Sequence, residues 1–212
     1  MNPLPATTAI TTAWLDLDAA PDAYRAVLNP EERARAATYR NPRDGRRFAI
    51  RRGWLRHLLA AELGEAPEAL RFATGTYGKP RLPLAPDLAF SLSHSAGQAL
   101  AAIARTGPVG CDIEARDPAK ADPTVAERFF APRERAELAR LTGAAWIDGF
   151  FNAWTRKEAV VKAVGTGLSL PLQAFAVSLT PGEPAHITAG APGWRLAALP
   201  APPGFTAALA FA

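Results

Sequence analysis

Two long helix-forming stretches, residues 43–63 and 145–164, each end at glycine and give way to short strands separated by Gly/Pro-rich turns. Helices and strands segregated in this way predict an α+β fold rather than a doubly wound parallel sheet, in which the two alternate. The pattern runs twice along the 212 residues, once over 1–106 and again over 107–212. Each unit has the size of a small domain, ~100 residues. The chain is expected to be a structural repeat whose two copies share little sequence.

The punctuation supports this division. Asn29-Pro30-Glu31-Glu32 offers an N-cap, a proline at the first helical position and acids in the first turn, predicting a helix to about Tyr39. Asn41-Pro42 breaks it, and a longer helix follows from about Arg43 to Leu63, closed by Gly64. Strands are expected near 70–73, 88–92 and 99–104. The second unit opens with a strand at 109–114 and continues with helices over 123–130, 132–141 and 145–164. It ends in strands near 175–179, 185–188, 195–198 and 205–211.

Composition narrows the function classes. Cys111 is the only cysteine, which rules out an intrachain disulfide and a Cys-rich metal site. No apolar run of ~18 residues escapes interruption by Pro or Gly, and Asp16 and Asp18 fall where the apolar core of a signal peptide would lie. A cytoplasmic protein with no membrane segment is expected.

The net charge of +4 is unevenly placed: residues 1–106 hold 14 Lys+Arg against 10 Asp+Glu, and residues 107–212 hold 10 of each. Nine arginines lie between Arg33 and Arg56, with Asp44 the only acid among them. Such a cluster favours an anionic partner, whether a phosphorylated small molecule, an acidic protein or nucleic acid. Neither zinc-ligand spacing nor an RNP-like aromatic motif is present, so nucleic acid is not the expected partner.

Three segments carry chemistry. In the strand Val109-Gly110-Cys111-Asp112-Ile113-Glu114, alternation puts Val109, Cys111 and Ile113 on one face and Asp112 with Glu114 on the other, about 7 Å apart. Two such carboxylates repel unless a cation lies between them, and a hard ion such as Mg²⁺ suits oxygen ligands. The alternative is the solvent-facing side of an edge strand. In the helix near 145–164, Ile147, Phe150, Phe151, Trp154 and Val161 form an apolar stripe with Glu158 in its middle. A carboxylate there needs a partner. Lys157 and Lys162 flank the stripe, so both ammonium groups are expected to lean toward whatever Glu158 faces. An internal Glu158–Lys162 pair is the alternative. The third segment joins Tyr77-Gly78-Lys79-Pro80 with Phe90-Ser91-Leu92-Ser93-His94-Ser95, a Gly-Lys-Pro turn and a Ser/His-rich strand end whose donors suit phosphate or simple local capping.

Together these segments resemble the 4′-phosphopantetheinyl transferases, in particular the two-half, Sfp-like type that activates peptide and polyketide synthetases. The motifs are PVGCDIE at 108–114 and FFNAWTRKEAVVKAVGTGLSLP at 150–171, with YGKP at 77–80, FSLSHS at 90–95 and ERFFAPRERAEL at 127–138 in support. The resemblance implies two similar α+β halves related by pseudo-twofold symmetry, with the active site and coenzyme A in the cleft between them.

By matching position, Asp112, Glu114 and Glu158 would be metal ligands for magnesium (Mg²⁺), with Mn²⁺ as the other suitable ion. Lys162 would contact the pyrophosphate, and Lys157 is expected beside it. Arg35, Arg47, Tyr77, Gly78, Lys79, Pro80, Ser93 and His94 would contact coenzyme A. Catalysis would fall to Glu158, Lys162 and Asp112, the partner being an apo acyl- or peptidyl-carrier protein and the enzyme a monomer. A non-catalytic coenzyme A-binding module with the same fold is the alternative. Cys111 stands where Ile or Val is usual in the family, Ser91 where Asn is common, and Glu32 at a position often basic.

Overall fold

The computed structural model describes residues 10–75, 77–167 and 170–212, so Leu168 and Ser169 of the 150–171 motif lie outside the described residues. The first half comprises β1 (Ile10–Asp16), α1 (Pro30–Ala37), α2 (Pro42–Leu63), β2 (Ala73–Thr74), β3 (Pro80–Arg81), β4 (Ala89–Ser95) and β5 (Gln98–Ala104). The second comprises β6 (Val109–Ala115), α3 (Pro123–Phe129), α4 (Pro132–Leu138), α5 (Gly143–Val164), β7 (Ala176–Val177), β8 (Ile187–Ala189), β9 (Arg195–Ala198) and β10 (Phe205–Phe211). The larger sheets are antiparallel, with strand orders β1-β5-β4 and β6-β10-β9. The second order is the first advanced by five strands. Each half also has one short strand pair, β2-β3 and β7-β8. The expected α+β class is what the chain adopts.

Local chemistry fixes the helix ends. Asn29 accepts the Glu32 amide at 2.8 Å while the Glu32 carboxylate accepts the Asn29 amide at 3.1 Å, a reciprocal cap at the start of α1. Asn41 caps α2, and Gly64 ends it in the left-handed conformation, φ 68°. The strand pattern differs from expectation at β1, at residues 70–72 and at the short β3. The unforeseen β1 is half-buried along most of its length and shows no clean alternation, which hid it from a period-two search. Residues 70–72 are not strand; Leu70 packs into a core cluster as irregular chain, and its carbonyl accepts from Arg56 at 3.1 Å.

The halves share a core. Leu100, Ala102 and Ala104 of β5 pack with Val109, Cys111, Ile113, Ala207 and Leu209 of β6 and β10 in one buried apolar cluster. Beside it β4 and β6 run as neighbours with no backbone ladder among the described residues. As an edge strand β6 has outward N–H groups that need acceptors. The hydroxyls of Ser91, Ser93 and Ser95 supply them, accepting from the amides of Cys111 (3.1 Å), Ile113 (3.4 Å) and Ala115 (3.0 Å).

Candidate active site

The site begins with a missing side chain. At Gly110 an added Cβ would lie 2.1 Å from the carbonyl oxygen of Ala159 and 2.3 Å from the amide nitrogen of Ala163. Only glycine therefore lets α5 lie directly on β6. Gly110→Ala is expected to push the helix off the strand at a cost of ~1–3 kcal/mol, the range for overpacking. A melting temperature unchanged from that of the parent chain would contradict this.

That close approach sets Lys162 over Asp112. The Lys162 ammonium donates to Asp112 Oδ1 at 2.6 Å and to Ser93 Oγ at 2.8 Å, and the Ser93 hydroxyl donates to the same Oδ1 at 2.7 Å. Asp112 is only 2% exposed, and its Oδ2 is buried without a hydrogen-bond partner. The face of β6 that bears Asp112 is thus turned to α5, not to solvent. Glu114, half-buried, accepts from the Ser95 hydroxyl at 2.7 Å.

The electrostatics couple these groups. Burial, then the charge of Asp112, pushes the Glu114 carboxyl upward, and burial followed by Asp112 does the same for Glu158. Burial also raises Asp112, against the pull of Lys162. Lys162 is held above its ordinary value because Asp112 and Glu158 outweigh its burial. Its ion pair is with Asp112, not the i,i+4 pair with Glu158 that the helix alone would offer.

Among the described residues no three His, Cys, Asp or Glu side chains stand gathered to hold an ion. The donor set nonetheless fits a hard dication. It consists of carboxylates, one oxygen is an orphan, and Glu114 and Glu158 each feel the repulsion of Asp112. As the side chains stand, the Lys162 ammonium neutralises Asp112.

Glu158 and Lys162 line a cleft of about 640 Å³. Arg35, Tyr77, Gly78, Lys79, Pro80 and His94 line it too, so the structure brings most of the predicted residues together. Asp112, Glu114 and Ser93 are not among the residues lining the cleft; Asp112 and Ser93 join it through Lys162. His94 is exposed to the cleft, whose walls and the charges of Arg51, Lys162 and Arg47 hold its imidazole down to about 4, neutral at physiological pH.

Three expectations require correction. Lys157 is wholly buried away from the cleft, donating to the carbonyls of Leu172 and Phe175 at 2.7 Å each and pairing with Glu134 at 2.8 Å. Adjacent residues on a helix point about 100° apart, so Lys157 and Glu158 serve different environments. Arg47 does not line the cleft; its guanidinium forks onto Asp18. Lys79 lines the cleft, but its ammonium donates to the carbonyls of Lys162 (2.6 Å), Val109 (3.1 Å) and Ala163 (3.2 Å). Those bonds occupy all three of its donors at the end of α5.

Sequence reasoning missed Arg51 and Arg52, which line the cleft. Arg51 lies one helical turn beyond Arg47, and its guanidinium and that of Arg35 each sit 5.1 Å from the centre of the Phe48 ring. An i,i+4 extension of the Arg47 assignment would have found it.

The sequence comparisons point the same way. The model of the 4′-phosphopantetheinyl transferase superfamily matches residues 108–208, the stretch that carries Asp112, Glu114, Glu158 and Lys162. The 4′-phosphopantetheinyl transferase HetI of Nostoc sp. is 38% identical over 190 residues, 88% of this chain and 79% of that protein. A 4′-phosphopantetheinyl transferase of Bacillus subtilis is 34% identical over 74% of this chain and 69% of its own length. The Sfp transferase of Bacillus subtilis strain 168 is 31% identical over 74% of this chain and 68% of its own length.

The chain belongs to the 4′-phosphopantetheinyl transferase superfamily. Within this member, the three departures from the family pattern have structural accounts. Cys111 is buried in the shared core, where burial lifts its thiol to about 11 and leaves it unreactive. Ser91 accepts the Cys111 amide. Glu32 caps α1 and anchors Arg52 and Arg56 from one buried carboxylate.

Proposed function

We propose that this transferase moves the 4′-phosphopantetheine arm of coenzyme A to a serine of an apo acyl- or peptidyl-carrier protein, with release of 3′,5′-ADP and dependence on Mg²⁺ or Mn²⁺. The observation that carries this reading is the buried Asp112, its Oδ2 unpartnered and its Oδ1 bound to Lys162, next to a cleft that also receives Glu158.

Asp112, Glu114 and Glu158 would hold the ion, which supplies charge neutralisation at the diphosphate. Lys162, already ionised at the edge of the cleft, is placed to exchange its bond to Asp112 for a non-bridging phosphate oxygen. Transfer of this kind depends on positioning and electrostatics. The carrier hydroxyl forms a bond to the β-phosphorus as the bond to 3′,5′-ADP breaks. Glu158, its carboxyl raised by burial and by Asp112, is the group suited to take the hydroxyl proton.

The charge distribution supports a cleft-bound anion rather than a nucleic acid. Of the nine clustered arginines, Arg43 and Arg47 pair with Asp18, Arg46 with Asp22, and Arg52 and Arg56 with Glu32. Arg35 and Arg51 face the cleft, as does the paired Arg52. No helix among the described residues is long and apolar enough to cross a membrane. A monomer suits a chain whose two halves together line the cleft.

Incubation with coenzyme A, Mg²⁺ and a panel of fatty-acid, polyketide and peptide carriers, followed by weighing of the carriers, tests the proposal. Mass gain on at least one carrier is expected, as is its suppression by EDTA and recovery on adding Mg²⁺ or Mn²⁺. No gain on any carrier would leave a coenzyme A-binding module that does not catalyse.

A further inference from the structure

The serine seam that joins the two halves also addresses the acids. Ser91, Ser93 and Ser95 alternate along β4, and Gly110, Asp112 and Glu114 alternate at the same spacing along β6. Each hydroxyl accepts one outward amide of β6. A hydroxyl has a single hydrogen, so accepting an amide restricts where that hydrogen can point. The Ser93 hydrogen goes to Asp112 Oδ1 at 2.7 Å, and that of Ser95 to Glu114 Oε2 at 2.7 Å. Opposite Ser91 stands Gly110, which has no side chain.

We propose that Ser95 is a positioning residue that holds the Glu114 carboxylate toward Asp112 and the cation these acids share, an inference that rests on the metal-dependent reading above. Glu114 is half-buried and repelled by Asp112, on a side chain with three rotatable bonds. Left to itself it gains by swinging out to solvent, away from the neighbouring charge. Ser95 is itself buried at 7% exposure and is fixed by the Ala115 amide, so it offers a rigid donor against that swing. The arrangement is the one in which an outer hydrogen bond sets the direction of a ligating carboxylate. Ser95 touches neither the cleft nor Lys162 among the described contacts. Its influence therefore runs through Glu114.

The test is calorimetric titration of Mn²⁺ into the protein saturated with coenzyme A, with no carrier present, so that no turnover is needed. Ser95→Ala is expected to weaken Mn²⁺ binding by ~10-fold or more, the usual effect of removing such an outer partner. The Mg²⁺ concentration for half-maximal transfer should rise in parallel, with the rate recovering at saturating metal. Ser95→Thr, which keeps the hydroxyl, should bind Mn²⁺ more tightly than the alanine variant. If Ser95→Ala does not fold, Ser95→Cys, similar in size but a weak donor, is titrated in its place. A lowered melting temperature with unchanged Mn²⁺ affinity would overturn the proposal and make Ser95 a seam residue only. Parent protein that binds no Mn²⁺ with coenzyme A present would overturn the metal reading itself, and the role of Ser95 with it.

Discussion

Glu158→Gln is expected to lower transfer to a carrier by ~10²–10⁴-fold, the span usual for removing a group that moves a proton in the transition state. The amide keeps the shape of the side chain while losing its charge, its basicity and half of its oxygen ligands. The fold should survive. Burial and the charge of Asp112 raise the Glu158 carboxyl above its unfolded value, so ionised Glu158 costs stability near neutral pH and that cost is relieved as pH falls through the raised value. A neutral amide removes the same cost, so the metal-free variant should melt at the parent temperature or above. A Glu158→Gln protein that labels its carrier at the parent rate would end the assignment.

The largest loss of stability is expected from Lys157→Met. Its ammonium is completely enclosed, and three oxygens depend on it: the carbonyls of Leu172 and Phe175 and Glu134 Oε2. Glu134 in turn accepts the amides of Ala131 (2.6 Å) and Val177 (2.7 Å), so the pair ties α4, α5 and the start of β7 together. Removing one member of a buried pair strands the other, at ~3–5 kcal/mol. Chemical denaturation should show that loss, and Lys157→Met with Glu134→Gln should recover part of it. Transfer by the folded fraction should be retained, because Lys157 does not reach the cleft. A fully stable variant that binds coenzyme A poorly would return Lys157 to the phosphate site.

These two residues also show what a sequence discloses. Glu158 was legible because a carboxylate inside an apolar stripe demands a partner, and Asp112 with Glu114 because alternation set them on one face. The helix starts at Asn29 and Asn41 were equally plain, since capping is local chemistry written in adjacent residues. Lys157 was misread for a related reason. Position on a helix tells which side chains diverge, but not what each meets, and its partners lie at 134, 172 and 175. Arg47 was misread similarly, its guanidinium claimed by Asp18, and Lys79 lines the cleft with an ammonium already claimed by backbone carbonyls that local pattern did not reveal. The serine seam was hidden too. Alternating serines read as ordinary polar strand positions until a second, distant strand is laid beside them.

The core common to both halves bears on how the enzyme admits its substrates. Many two-part proteins open and shut on a hinge, exposing little when their lobes part. Here, parting would strip Leu100 and Ala102 from Ile113 and Leu209 and leave the outer amides of β6 without acceptors. Rigid-body gaping is therefore costly, and adaptation to ligand falls to side chains such as Lys162, whose present bond can be traded for another. On the proposed reading coenzyme A enters without the halves parting, and free and bound forms should superpose closely in their backbones.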